Sequence, residues 1–171
     1  MRLMDAFYYL YGALILLLGL AQSAIVPHIR IAGVYPDIML ILVVSWSLLR
    51  GFREGLIWAL AGGIILDLLS GAPFGMFTLT LVCAAILPGI GTANFFRSHL
   101  PMVLTSVALA TICSYGISLL VLYVAGRSTS VFDLASHIIL PNLALNVGAT
   151  LLVFPPVRWL HRRTAPGEMQ W

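Results

Sequence analysis

A chain of 171 residues that is 61% hydrophobic and only 9% charged, with a mean hydropathy of +1.03, carries more apolar side chain than a soluble domain of its size could bury. The expectation is an all-α integral membrane protein folded as one bundle, with no room for a second domain. The net charge of +3 comes from nine arginines and no lysine, and no basic run lies in polar sequence, so the charge speaks for membrane topology and against nucleic-acid binding.

Six apolar segments, divided by Pro, Gly and charged residues, predict six transmembrane helices. The first covers about 7–26. Its Arg2 and its Ala21-Gln22-Ser23-Ala24 give it a loose likeness to a secretory signal, but it is longer than a signal core and more spans follow, so it reads as a span that stays. The second, 37–49, opens at Pro36-Asp37; the third is 55–70, the fourth 74–92, the fifth 101–125 and the sixth 137–160, leaving 161–171 as a short cytoplasmic tail. A span needs about 20 residues, and the second and third fall short. Making them a re-entrant hairpin would put Arg50 and Arg53 near the membrane midplane at about 2.5–3.5 kcal/mol each. Two full crossings, with both arginines snorkelling to the cytoplasmic interface, cost less. Alternate connections then carry Arg2, Arg50, Arg53, Arg97, Arg158, Arg162 and Arg163 on one face and Arg30 and Arg127 on the other, which predicts cytoplasmic termini. In the last outer connection, 128–136 has a faint signal for an interfacial helix capped by Ser130.

The chain reads as organised around Gly55–Gly75, because Asp67 is a carboxylate inside an apolar run. Stepping back by four gives Gly63, Ala59 and Gly55, a stripe of small residues that lets a neighbouring helix approach closely. Asp67 lies one turn before Gly71, so it sits shallowly below the outer end of its helix. Two readings stand: a structural acid bonding a neighbouring span or the free amides of the turn, and a ligand or proton site. Asp37 suits the start of a helix, where free amides and the positive end of the dipole favour a carboxylate, with Arg30 as the nearest counter-charge. Asn142 and Asn146, one turn apart behind Pro141, lie at similar depth. With Asp37, Asp67 and Ser70 they form a polar set that one pocket would share, or they serve as glue between helices. Gly12, Gly19 and Ser23 in the first span, and Thr111, Ser114 and Ser118 in the fifth, read as packing seams. Cys83 and Cys113 read as small buried hydrophobes, and the four histidines as segment ends. No Walker sequence, Gly-x-Ser-x-Gly, His-Glu-x-x-His or Cys-x-x-Cys is present, so no catalytic, cofactor or metal site is expected.

Pro36-Asp37, Arg50-Gly51, Glu54-Gly55, the run Gly62-Gly63-Ile64-Ile65-Leu66-Asp67-Leu68-Leu69-Ser70-Gly71 and then Pro73-Phe74-Gly75 resemble the bacterial rod shape-determining protein MreD family, most closely over 36–75. The resemblance implies a multi-pass protein of the bacterial inner (cytoplasmic) membrane that supports peptidoglycan synthesis and rod shape as a non-enzymatic scaffold. Implied partners are the single-span periplasmic protein MreC, whose transmembrane helix it would dock, together with RodA, a class B penicillin-binding protein and MreB. The implied fold is similar to the substrate-binding subunit of energy-coupling-factor transporters, which keeps open an alternative: a subunit binding a small molecule or membrane lipids. On the scaffold reading Gly12, Gly19, Gly55 and Gly63 serve close packing or a partner helix. Gly71, Pro73 and Gly75 then make a tight outer turn.

Overall fold

The computed structural model describes residues 2–28, 33–89, 100–124, 126 and 138–164. Among these are six α-helices: α1 (Arg2–Ala24), α2 (Ile38–Arg50), α3 (Phe52–Ser70), α4 (Met76–Ile86), α5 (Leu100–Val124) and α6 (Leu140–Thr164). Short 3-10 turns follow α1 at Val26–His28 and α4 at Leu87–Gly89.

The helix at the centre is α2. Its sequence, IMLILVVSWSLLR, has no polar face, and a helix that is apolar all round belongs inside. Met39 through Leu48 are all buried. α2 packs against each of the other five helices, and these follow one another around it: α1 on α3, α3 on α4, α4 on α5, α5 on α6. At 13 residues α2 is about 20 Å long, well short of a hydrocarbon core of about 30 Å. Its neighbours, not lipid, surround it, so that shortness carries little penalty. The carboxylate-bearing stretch that dominates the sequence is thus one wall of the bundle, and the featureless apolar run before it is the axis.

α5 and α6 are each 25 residues long and apolar enough to cross a membrane. Several boundaries differ from expectation. α4 stops as an α-helix at Ile86, where Pro88 brings no N–H to the helix and the chain tightens into a 3-10 turn; 90–92 of the expected span lie outside the described residues. α1 begins at Arg2, several residues before the apolar run. α6 passes through Pro155 and Pro156 to Thr164, so the expected tail begins as helix; both prolines are exposed. They leave the carbonyls of Leu151 and Leu152 without their helical donors, on an exposed side where no helix packs among the described residues. Arg30, Arg97, Arg127, 128–136 and 165–171 lie outside the described residues.

Candidate functional site

Polar groups inside this bundle gather in three places. The first is the N-terminus of α2. Asp37 caps it, with the Leu40 amide donating to Oδ1 at 3.0 Å. Gln22 of α1 completes the job: its Oε1 accepts from the amides of Ile38 at 2.9 Å and Met39 at 3.3 Å, while its Nε2 donates to Asp37 Oδ1 at 2.8 Å. The Asp37 amide donates to Asn146 Oδ1 of α6 at 2.8 Å, and Asn146 Nδ2 donates to Thr111 Oγ1 of α5 at 3.1 Å. One turn away, Asn142 Nδ2 donates to the Tyr35 carbonyl at 2.9 Å. A buried helix end leaves amides that no water can reach, and here side chains from α1, α2 and α6 take them up.

A cleft of about 550 Å³ opens beside this knot. Polar lining comes from Gln22, Asp37, Ser70, Asn142, Asn146 and Ser114, and apolar lining from Leu66, Leu69, Phe77, Leu119 and Leu122. Two buried oxygens in the lining, Asn142 Oδ1 and Ser114 Oγ, have no hydrogen-bond partner among the described residues.

The second place is the corner between α3 and α4. α3 ends at Gly71 with φ 67°, and the first residue before α4, Gly75, has φ 94°. Both values suit a residue without Cβ. Gly75 therefore stands at the cap position of α4 with no side chain to offer, and Asp67 supplies the carboxylate from the preceding helix. Its Oδ1 accepts from the Phe77 amide at 2.8 Å, and its Oδ2 from the Thr78 amide at 3.1 Å and the Thr78 hydroxyl at 2.6 Å. Gly63, one turn earlier, lies so close that a Cβ there would stand 2.5 Å from Thr78 Cα. Asp67 is buried and does not line the cleft, so of the five residues expected to share a pocket, Asp37, Ser70, Asn142 and Asn146 meet there and Asp67 does not.

The third place is the opposite end of α2. Arg50, the last residue of α2, is packed against its own bundle. Its side chain is only 10% exposed, lying over the Trp46 ring at 5.1 Å, paired with Glu54 at 3.4 Å and donating to the Thr164 hydroxyl. The planar guanidinium can stack and pair at once, which explains why it stays inside. Trp46 also donates to Glu54, at 3.2 Å, and stacks on Trp58 with ring centroids 4.8 Å apart. Arg53 is exposed.

The expected glycine seams divide. Gly55 faces Ser47 of α2, Gly63 faces Thr78 of α4, and Gly19 of α1 lies against Ile65 of α3 with no room for a Cβ. These are used within the chain, so Gly19 is not open to a partner helix. Gly12 has open space around it, as do Gly116 and Gly148, which the sequence reading did not single out. Gln22, Tyr35 and Thr78 were also passed over. Gln22 is an amide in an apolar span, the same signal that marks Asn142, but it stands in the Ala-Gln-Ser-Ala string whose loose likeness to a cleavage site draws the eye first.

The family model described as rod shape-determining protein MreD matches residues 4–164. No curated protein and no solved structure matches the chain.

Proposed function

Because the chain belongs to the rod shape-determining protein MreD family, and so has a part in determining rod shape, we propose that it is a non-enzymatic membrane scaffold that docks the single transmembrane helix of MreC. In this reading the bundle crosses the bacterial inner membrane six times with both termini in the cytoplasm. Together with MreC it supports RodA, a class B penicillin-binding protein and MreB in peptidoglycan synthesis during elongation.

The observation that carries the reading is the split among the glycines. A glycine inside a helix costs about 1 kcal/mol relative to alanine. Gly19, Gly55 and Gly63 offset this by close packing within the chain, whereas Gly12, Gly116 and Gly148 are exposed with open space about them. In lipid, an exposed glycine on a helix favours the close approach of another helix. The face we assign to MreC is that of Gly116 on α5, where Leu109, Ile112, Leu120 and Tyr123 are exposed along the same side and provide knobs around the gap.

The test is co-purification of MreC with Gly116→Leu, Gly12→Leu and Gly148→Leu variants, each checked for unchanged thermal unfolding. Gly116→Leu is expected to cut MreC recovery about tenfold, the equivalent of about 1.4 kcal/mol, with the other two near wild type. Undiminished recovery with Gly116→Leu refutes the assigned face, and undiminished recovery with all three refutes docking at open glycines.

A further inference from the structure

We propose that the cleft beside the α2 N-terminus is a binding site for an amphiphile whose head donates hydrogen bonds and is uncharged or cationic, an ammonium or hydroxyl-bearing group on an apolar body. Its volume of about 550 Å³ falls in the range of small-molecule sites. Size alone would not make it a site; its unpaired oxygens do. Asn142 is only 6% exposed, and its Oδ1 is buried with no partner among the described residues. The orientation of that amide is fixed, because Nδ2 donates to the Tyr35 carbonyl at 2.9 Å. Turning it over would set two oxygens against each other, so the unpaired atom of this cleft residue is an acceptor and not a donor. Ser114 Oγ is likewise buried and unpaired, and also lines the cleft.

The charge of the lining narrows the ligand further. Asp37 contributes a carboxylate, and no Lys, Arg or His is among the described lining residues. Among the described lining residues an anionic head would meet a carboxylate and no basic group. A head carrying N–H or O–H groups satisfies Asn142 Oδ1 and Ser114 Oγ and recovers the free energy lost by burying them unpaired. Leu66, Leu69, Leu119 and Leu122 then receive the apolar part. Such a ligand has two sources, the head of a zwitterionic membrane lipid, entering by its ammonium end, or a free amine, and the ammonium is the chemistry they share.

This goes beyond the scaffold reading and is tested without any partner. The purified protein in detergent is offered phosphatidylethanolamine or phosphatidylglycerol of identical chains, and retained lipid is counted by native mass spectrometry. Retention of the ethanolamine lipid is expected to exceed that of the glycerol lipid about tenfold. Ser114→Ala, which removes no hydrogen bond among the described residues, should lower retention about threefold. Leu119→Trp fills the cleft and should abolish it. Decylamine is then added: displacement of the lipid supports a site that takes free amines, and failure to displace it supports the lipid head as the occupant. Equal retention of the two lipids, or retention indifferent to Leu119→Trp, overturns the proposal and leaves water as the partner of the two oxygens.

Discussion

Replacing Asp67 by alanine should cost more than any other single change in the α3–α4 corner. The carboxylate accepts three hydrogen bonds at 2.8, 3.1 and 2.6 Å while the residue is only 5% exposed. Hydrogen bonds to a charged group contribute about 1.5–3 kcal/mol each, and a lost N-cap costs about 0.5–2 kcal/mol. These terms overlap, so about 3–5 kcal/mol is the expected loss. α4 has 11 residues, and its cap residue Gly75 has no side chain with which to compensate. Asp67→Asn keeps the shape and one acceptor but turns an NH₂ toward a donor, and about 2 kcal/mol should be lost. Thr78→Val removes the hydroxyl alone, and the double variant should lose about 1 kcal/mol less than the sum of the singles, because both act on one bond. The assay is thermal unfolding in detergent, followed with a thiol-reactive dye on Cys83 of α4 and Cys113 of α5, both partly buried. At about 2–4 °C per kcal/mol for a chain of this size, Asp67→Ala should lower the midpoint by about 6–20 °C and Asp67→Asn by about 4–8 °C. An Asp67→Ala midpoint within about 2 °C of wild type would refute the capping role, as would strict additivity with Thr78→Val.

Two further outcomes follow from the same geometry. Gly63→Ala brings a Cβ to 2.5 Å from the Thr78 backbone and should destabilise by about 1–3 kcal/mol, whereas Gly12→Ala meets open space and should stabilise by up to about 1 kcal/mol. The same melting assay reads both, and shifts of equal sign count against the assigned packing. Gln22→Leu strands the amides of Ile38 and Met39 and takes a donor from Asp37, at about 2–4 kcal/mol. Hydrogen exchange at the start of α2 should then quicken, and unchanged protection there rejects the role given to Gln22.

Much of this arrangement was legible in the residues, for identifiable reasons. A carboxylate or amide in an apolar run is conspicuous, so Asp37, Asp67, Asn142 and Asn146 stood out. What each bonds to depends on which helices meet, and that information is spread thinly. The corner at Gly71 and Gly75 could be read from glycine chemistry, but Thr78 as the partner of Asp67 looks like any threonine in a span. The central place of α2 had a signal, an all-round apolar helix too short to cross alone, and it was outweighed by the more distinctive Gly55–Gly75. Arg50 shows the same limit: its contacts with Trp46, Glu54 and Thr164 form a three-way site, and no spacing rule foretells Thr164, more than a hundred residues away, as part of it.

The two carboxylates that the sequence sets at similar depth therefore answer one physical requirement twice. α2 and α4, at 13 and 11 residues, begin against neighbouring helices, where their half-buried first amides meet side chains of the bundle. Each must borrow acceptors: α2 from its own Asp37 and from Gln22 of α1, α4 from Asp67 of α3. The acids are the consequence of starting helices within the protein, and no catalytic duty is needed to account for them. Short helices in turn leave space above their ends, and the cleft lies there, lined by Asp37 and Gln22 of one buried start and Met76 and Phe77 of the other. Gly19, Gly55 and Gly63 serve this tight interior, whereas Gly116 of α5 and Gly148 of α6 take no part in it, since a Cβ at either would meet nothing within 4 Å.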